Sequence, residues 1–360
     1  MTNRRDRNVL ALLSAAGTAA WLGMFSSSAL AASELHILNW QGWGTDEPWA
    51  ISQFEKAHGV KIVHDYITSF PEAFTKLRTN PGYYDVIDLS TPFTVQATDQ
   101  GLVQPVDASK LTNFKDLYPD FRDSGQLNRD GKVYGVAWIW GGTSVAYSTD
   151  VFHDAPTSLE VLWDPKYAGQ VCMRDDAEDA VRFSALALGQ NPDKPDNMDA
   201  IREKLRALKP QIKVLWKSED EWLKLVAAKT CALSTIWTTS VEKAKIEHKL
   251  PVSFFVPKEG ALGARDALSM PKNPQNPETA LAFIDYMISP EFYAGWVKEG
   301  GAPVSANAVA IQQLPESSLT KTVLTQPDAL KRLNLKGPLS DQQRQAYLDL
   351  WQETKAYFSQ

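Results

Sequence analysis

At 360 residues, the chain is long enough for two lobes rather than one core. Its formal net charge of −6 argues against nucleic acid and anionic membrane surfaces as partners, and weakly favours a cationic ligand. After the first 31 residues, no apolar run approaches the length of a membrane span.

The first 31 residues have the layout of a cleavable export signal. A basic start at Arg4–Arg7 precedes a long apolar run and a small-residue stop at Ala29–Ala31, where we expect cleavage. An uncleaved membrane anchor is the alternative, but Gly, Ser and Thr interrupt the apolar run, and no Cys near the cut offers a lipid anchor. Losing three Arg and one Asp takes the net charge from −6 to about −8. We expect a periplasmic or secreted protein, exported by the Sec or the twin-arginine route.

The next stretch alternates short apolar runs with helical patterns. Strands are predicted at 34–40, 60–67 and 84–91, with helices at 47–59 and 71–79 between them. This β-α-β-α-β order predicts a parallel sheet with helices on both faces. Ligand-binding groups should then collect at the carboxyl ends of the strands.

A second lobe is predicted to begin near residue 142. Its elements are strands at 169–176, 212–216 and 231–237 and helices at 179–189, 198–211 and 220–229. A strand-like run and two helices follow from 267 to 300. The chain therefore leaves one lobe, builds another and returns, which requires at least two crossover strands and a hinge. We expect lobe 1 to comprise 32–141 plus 267–305, and lobe 2 to comprise 142–266 plus 306–360.

Two cysteines, Cys172 and Cys231, both lie in short apolar runs that predict strands. In an exported protein they are compatible with one disulfide if the strands are neighbours, and buried free thiols are the alternative.

Four carboxylates fall within five positions of "RDDAEDAV", at the predicted start of a helix. Carboxylates are favoured at helix N-termini, and we assign this role and solvent exposure to Asp175 and Glu178. Asp176 and Asp179 are three residues apart and face the same way on a first helical turn.

Several segments together resemble the periplasmic spermidine/putrescine-binding proteins of ABC importers. They include "ELHILNWQGW", "YDVIDLSTPFTV", "KLTNFKDL", "WDPKYAG" at Trp163–Gly169, "DALSMPKNPQNPETALAFIDYMISPE" and "GGAPVSANAVA". The resemblance runs in order from Glu34 to Ala310. It implies a type II-like binding protein of two α/β lobes, each a mixed, mostly parallel sheet flanked by helices, that closes by hinge motion on a small molecule and delivers it to an inner-membrane permease.

The resemblance also implies the ligand-binding residues. These are Trp40, Trp43, Ser90, Thr91, Asp176, Asp179, Trp237 and Asp266. The residue types suit a polyamine, because a buried ammonium needs a carboxylate to replace its water, and methylene groups pack on indole faces. Ser90 and Thr91 could equally cap the following helix, and Asp266 could pair with the adjacent Arg265.

Three positions depart from the family pattern. Pro92, Ala264 and Ala302 stand where further aromatic walls are expected, although Phe93 could replace the first. A wider groove raises the possibility of a bulkier amine, such as an amino acid or an opine-like compound, with Arg265 facing its carboxylate.

Other functions are less well supported. An enzyme would need a catalytic arrangement, and the chain has no G-x-S-x-G or H-E-x-x-H motif and no acid pair in a barrel pattern. A metal- or anion-binding protein of the same architecture is the second alternative, but the five His residues are scattered and Tyr83-Tyr84 precedes a strand. We expect a monomer that is not an enzyme and has no cofactor or bound metal.

Overall fold

The structure is a computed structural model that describes residues 33–299 and 302–360. The predicted signal peptide at 1–31 lies outside the described residues. Within these ranges, no helix combines the length and apolar character needed to cross a membrane.

The described chain is a mixed α/β protein, as predicted. The strands are β1 Ser33–Asn39, β2 Val60–Tyr66, β3 Val86–Ser90, β4 Val103–Gln104, β5 Asn128–Arg129, β6 Lys132–Val133, β7 Val136–Ser148, β8 Val171–Arg174, β9 Ile212–Trp216, β10 Leu233–Trp237, β11 Val252–Phe255, β12 Ala261–Pro271, β13 Val304–Ser305 and β14 Leu333–Leu335. The α-helices are α1 Pro48–His58, α2 Phe70–Thr79, α3 Thr91–Asp99, α4 Pro119–Arg122, α5 Ala177–Ala187, α6 Met198–Arg206, α7 Glu219–Ala227, α8 Thr238–Ile246, α9 Pro277–Met287, α10 Pro290–Glu299, α11 Ala308–Gln312, α12 Pro327–Lys331 and α13 Asp341–Phe358.

One large mixed sheet connects the two halves of the fold in the order β2-β1-β3-β12-β7-β10-β8-β9. The outer pairs β1/β2, β1/β3, β8/β9 and β8/β10 are parallel. The two longest strands, β7 and β12, lie in the middle and pair antiparallel with each other. They are the candidates for the crossover strands that the sequence predicts. The expected lobe boundaries at 141/142 and 266/267 fall inside these strands and remain a prediction.

Helix ends follow local sequence signals. α1 begins at Pro48, and Gly59 ends it in the left-handed conformation with φ +64°, as the sequence predicts. The last helix, α13, begins with a capping box between Ser340 and Gln343.

The C-terminal helix α13 packs on α5 and α6 through one apolar face. Tyr347, Leu350, Trp351 and Thr354 are buried at helical spacing, and the first three belong to the same hydrophobic core as the buried side chains of α5 and α6. Burial of each large apolar side chain contributes about 1.5–3 kcal/mol, so the helix is an integral part of this core.

Cys172 and Cys231 form a disulfide, with their Cα atoms 5.7 Å apart. Cys172 lies in β8 and Cys231 lies just before β10, and these strands are parallel neighbours in the sheet. The bridge therefore fixes two adjacent strands of the second half.

Candidate functional site

The predicted site residues form two clusters, one around the carboxyl end of β3 and the middle of β12, the other around the carboxyl ends of β8 and β10. The first, called here the β3/β12 cluster, contains Trp40, Trp43, Ser90, Thr91 and Asp266. The second, called the α5 cluster, contains Asp176, Asp179 and Trp237, with two cations that the sequence did not single out.

The β3/β12 cluster is centred on Asp266 in the middle of β12. Antiparallel pairing places Asp266 opposite Ser90, the last residue of β3. The exposed indole of Trp43 donates from Nε1 to Asp266 Oδ2 at 3.0 Å. Among the described residues, no Lys, Arg or His forms an ion pair with this half-buried carboxyl. Burial raises the pKa of Asp266 to about 6, against the opposing effect of the Trp43 hydrogen bond.

Thr91 and Arg265 are hydrogen-bonded to each other and not to Asp266. The buried Thr91 hydroxyl donates to the Arg265 carbonyl at 3.0 Å, and Arg265 Nε donates to Thr91 Oγ1 at 3.0 Å. Arg265 also donates to Ser124 Oγ and the Asp120 carbonyl. Adjacent residues of a strand point to opposite faces, so Arg265 does not pair with Asp266. Burial lowers the pKa of Arg265 to about 10.

Ser90 occupies the N-cap position of α3, but its hydroxyl does not cap the helix. The sequence expectation that 91 ends a strand is wrong, because Thr91 is already the first residue of α3 and Pro92 follows in its first turn.

An aromatic row lies beside this cluster. Trp40 meets Phe70 edge to face with ring centroids 5.4 Å apart, and Phe70 stacks on Phe93 at 4.2 Å. Phe93 also lines a cavity of about 610 Å³ together with Pro92 and Ala264, two of the positions that lack the expected rings. The third such position, Ala302, lines a separate cavity of about 190 Å³.

The α5 cluster brings Asp176, Asp179 and Trp237 together around Arg174. The Arg174 guanidinium carbon lies 4.6 Å from the centroid of the Trp237 ring. Its Nη1 lies 3.2 Å from Asp179 Oδ2 and 3.5 Å from Asp176 Oδ2. Lys336, from the segment after β14, reaches the other oxygen of Asp179 at 2.7 Å. Two cations of the chain thus contact the acidic pair that the sequence assigns to a ligand.

The roles within "RDDAEDAV" differ from those predicted for the helix start. Asp176, not Asp175, caps α5 by accepting from the Asp179 amide at 2.9 Å. Asp175 accepts from Trp351 Nε1 and Lys355 Nζ at 2.7 and 2.9 Å. Burial alone would raise the pKa of Asp175, but these hydrogen bonds and the charge of Lys355 outweigh it and lower that pKa.

Glu178 pairs with Arg182 at 3.0 Å on the same helix. It is therefore not simply a solvated residue of the first turn.

One acidic residue near Asp266 escaped the sequence analysis. Asp88 lies in β3 within the apolar run "VIDL" and is fully buried. An acidic residue inside a buried strand is itself a signal, because an ionised carboxylate is costly there without a partner.

No group of three or more His, Cys, Asp or Glu side chains in the described ranges is arranged to hold a metal ion.

Comparison with known proteins shows the family to which the chain belongs. The spermidine/putrescine-binding periplasmic protein of Escherichia coli K12 is 29% identical over 324 residues, covering 89% of this chain and 90% of the relative. The putrescine-binding periplasmic protein SpuD of Pseudomonas aeruginosa is 26% identical, covering 82% and 83%. The substrate-binding protein PotD of a Streptococcus pneumoniae spermidine/putrescine ABC transporter has the same fold, with a TM-score of 0.78 at 22% identity, covering 91% and 100%. The family model described as "Bacterial extracellular solute-binding protein" matches residues 49–322, and the chain belongs to that family.

Proposed function

We propose that the protein is the periplasmic solute-binding component of an ABC importer and captures an organic amine, with putrescine or spermidine as the leading ligand. The main structural support is Asp266, a half-buried carboxyl in the middle of β12 and opposite the end of β3. It lacks a cationic partner among the described residues and accepts a hydrogen bond from the Trp43 indole. Relatives of the chain are named as spermidine- and putrescine-binding proteins, and these names support the same ligand class.

The chemistry of the β3/β12 cluster suits an ammonium group. Burying an ammonium is costly unless a carboxylate replaces its water, and Asp266 provides one. Trp40 and Trp43 offer indole faces for the adjoining methylene groups, and each cation–π contact contributes about 0.5–2 kcal/mol. A micromolar affinity corresponds to about 8 kcal/mol, which an ion pair and such contacts can supply after the ordering cost of a flexible ligand.

The α5 cluster would bind the other end of the ligand. A second ammonium must displace Arg174 or Lys336 from Asp179, because both cations now contact this carboxylate. Binding to both clusters would favour the closed arrangement of the two lobes by population shift.

A second candidate ligand is an amine that also has a carboxylate, such as an amino acid or opine-like compound. The observation that favours it is the pair of cations at the α5 cluster, since Arg174 could bind a carboxylate through a guanidinium nitrogen. In this alternative, the ammonium would still bind at Asp266.

The remaining parts of the proposal go beyond the family assignment. The mature protein would act in the periplasm as a monomer without enzymatic activity, and deliver its ligand to an inner-membrane permease.

A thermal-shift screen across amines, amino acids, sugars and anions tests the function. Putrescine or spermidine should raise the melting temperature of the wild type, and Asp266→Asn or Asp176→Asn should abolish the shift. Asp154→Asn, an exposed aspartate outside both clusters, is the matched control and should keep it. If only amino acids shift the melting temperature, the second candidate replaces the first. If no amine of either kind does so, the amine function is wrong.

A further inference from the structure

We propose that Asp88 is a second, inner carboxyl of the amine site, and that Asp88 and Asp266 share one proton in the empty protein, which is released when an ammonium group binds. This inference rests on the proposed amine function and deepens it, because it makes capture of the ligand dependent on pH.

Asp88 is a buried carboxyl of which one oxygen has no hydrogen-bond partner among the described residues. Trp138 Nε1 donates to Asp88 Oδ1 at 2.8 Å. The second oxygen, Oδ2, is buried and has no hydrogen-bond partner in the part of the chain that the structure describes. Leaving a buried polar atom unpaired is costly, so such an atom calls for a proton or a ligand.

An irregularity in the sheet brings Trp138 to this position. The pairing of β12 with β7 shifts between Asp266 and Ala267, so that Ile139 opposes Asp266 and Ala137 opposes Ala267. Trp138 is the extra residue of this bulge, and bulges commonly redirect a side chain. Its ring stacks on Trp296 with centroids 5.6 Å apart, which fixes the indole that holds Asp88.

Asp88 and Asp266 lie on one face of two neighbouring strands. In the antiparallel pairing of β3 and β12, Asp88 is opposite Leu268 and Ser90 is opposite Asp266. The two aspartates are therefore diagonal neighbours, whose Cα atoms lie about 7–8 Å apart in a regular sheet. Burial, to which the charge of Asp266 adds, raises the pKa of Asp88 well above its usual value.

The surrounding groups supply no positive charge in the described chain. The partner from the loop after β1 is the Trp43 indole, the partner from β7 is Trp138, and α10 contributes the Trp296 ring. On β12 itself, the guanidinium of Arg265 is bonded to neutral oxygens on the other face.

The other ionisable groups of the adjoining strands are also engaged elsewhere. On β3 and the residue before it, Asp85 accepts from the amides of His36 and Asn276. On β1, His36 pairs with Glu34 at 3.4 Å. Asp88 and Asp266 would thus repel each other if both were ionised, because no cation of the described chain lies beside them.

For two carboxyls in this position, the state with one proton is favoured over the fully ionised state. Full ionisation would place two like charges in a poorly solvated space. An ammonium group supplies the missing positive charge. It keeps its own protons, the shared proton passes to solvent, and the pair changes from one negative charge to two. Release of a proton on binding requires the affinity to rise with pH, by up to about tenfold per pH unit while the empty pair remains protonated.

Isothermal titration of putrescine, in buffers that differ in ionisation enthalpy, counts the proton directly. At pH 7, where Asp266 with its pKa of about 6 is mostly ionised, the wild type should release close to one proton per ligand, and its affinity should rise as the pH is raised from 7. Asp88→Asn is the informative variant, because its amide can still accept from Trp138 and can donate to Asp266, as a protonated Asp88 would. At pH 7 it should release far less than one proton, and above this pH its affinity should change little.

The outcomes separate this inference from the proposed function. Equal proton release by the wild type and Asp88→Asn, with amine binding intact, overturns the role of Asp88 and leaves the amine function standing. Absence of amine binding to the wild type overturns both.

If Asp88→Asn does not fold, carboxyl-carbon NMR of the wild type gives the same test. Putrescine should convert one high-pKa aspartate to its ionised chemical shift, and an unchanged titration curve overturns the proposal.

Discussion

The guanidinium carbon of Arg174 lies 4.6 Å from the centroid of the Trp237 ring, at the place where the sequence assigns an indole to the ligand. The same side chain contacts Asp176 and Asp179. Arg174 thus makes the two kinds of contact, indole and carboxylate, that an alkylammonium ligand would need.

This relationship predicts the effect of Arg174→Gln on ligand choice. Removing the guanidinium frees the Trp237 face and one oxygen of Asp179, so putrescine should bind roughly 3- to 10-fold more tightly, in line with a cation–π contact that no longer has to be displaced. A ligand with a carboxylate should bind more weakly. Titration calorimetry with putrescine and with amino acids measures both effects.

Arg206→Gln is the control for this experiment, since Arg206 also lies over an aromatic ring, Tyr357 at 5.4 Å, and pairs with Glu353. It should change neither affinity. Weaker binding of putrescine to Arg174→Gln would show that Arg174 supports the amine rather than competing with it.

From the raised pKa of Asp266, we expect the contribution of this residue to stability to fall as the pH rises. The folded protein raises the pKa of Asp266 to about 6, whereas an aspartate in the unfolded chain titrates near 3.9. Between these values, the folded state binds more protons than the unfolded state, so the free energy of unfolding decreases with rising pH through this window. Because the side chain is partly exposed, about 1–2 kcal/mol is a reasonable size for the contribution.

Urea unfolding at pH 4 and pH 7 measures this effect. Asp266→Asn should be more stable than the wild type at pH 7 and nearly equal to it at pH 4, while Asp154→Asn should follow the wild type at both. A stability difference that does not change with pH would contradict the raised pKa.

Asp175 predicts the opposite response to pH. Its carboxylate links α5 to α13 through Lys355 and Trp351, and the pKa of Asp175 lies below its usual value. This stabilisation is present above the unfolded-state pKa and is lost as pH falls through the folded-state pKa. Asp175→Asn should cost about 1–3 kcal/mol at pH 7, because the partly buried Lys355 loses its partner. Urea unfolding measures this cost, and Asp349→Asn, at an exposed position of α13, serves as the control.

The disulfide predicts a dependence on reductant. It closes a loop of 59 residues, for which restriction of the unfolded chain gives about 4 kcal/mol, with engineered and natural cases typically at 2–4 kcal/mol. The double variant Cys172→Ser with Cys231→Ser should unfold at lower urea concentration than the oxidised wild type and should not respond to reductant. Equal unfolding midpoints with and without reductant in the wild type would contradict the bridge.

Local patterns were sufficient for much of the fold. The strand Ile212–Trp216 and the end of the first helix at Gly59 lie where the sequence placed them, because each depends on a few neighbouring residues. The start of α3 was missed because the apolar run before it extended the strand pattern past Ser90, although Pro92 in the first turn is a recognised helix-start signal.

The site was less predictable, for a different physical reason. Lys336 reaches Asp179 across 157 positions of sequence, and nothing in local spacing indicates which of the chain's cations comes to a given carboxylate. Asp88 was missed because it sits in an apolar strand, where the pattern shows the strand and hides its one polar residue. Long-range pairing thus decides which acidic residues are already paired with a cation of the chain and which remain available to a ligand.

The bulge at Asp266 has a mechanical consequence. A regular ladder between β7 and β12 would pair every residue of the two central strands, whereas the pairing shift between Asp266 and Ala267 leaves one residue unpaired and increases the local twist. Asp266 is adjacent to this point. A cation that binds Asp266 therefore binds beside this local twist, so we expect the occupancy of the carboxyl and the twist between β7 and β12 to change together.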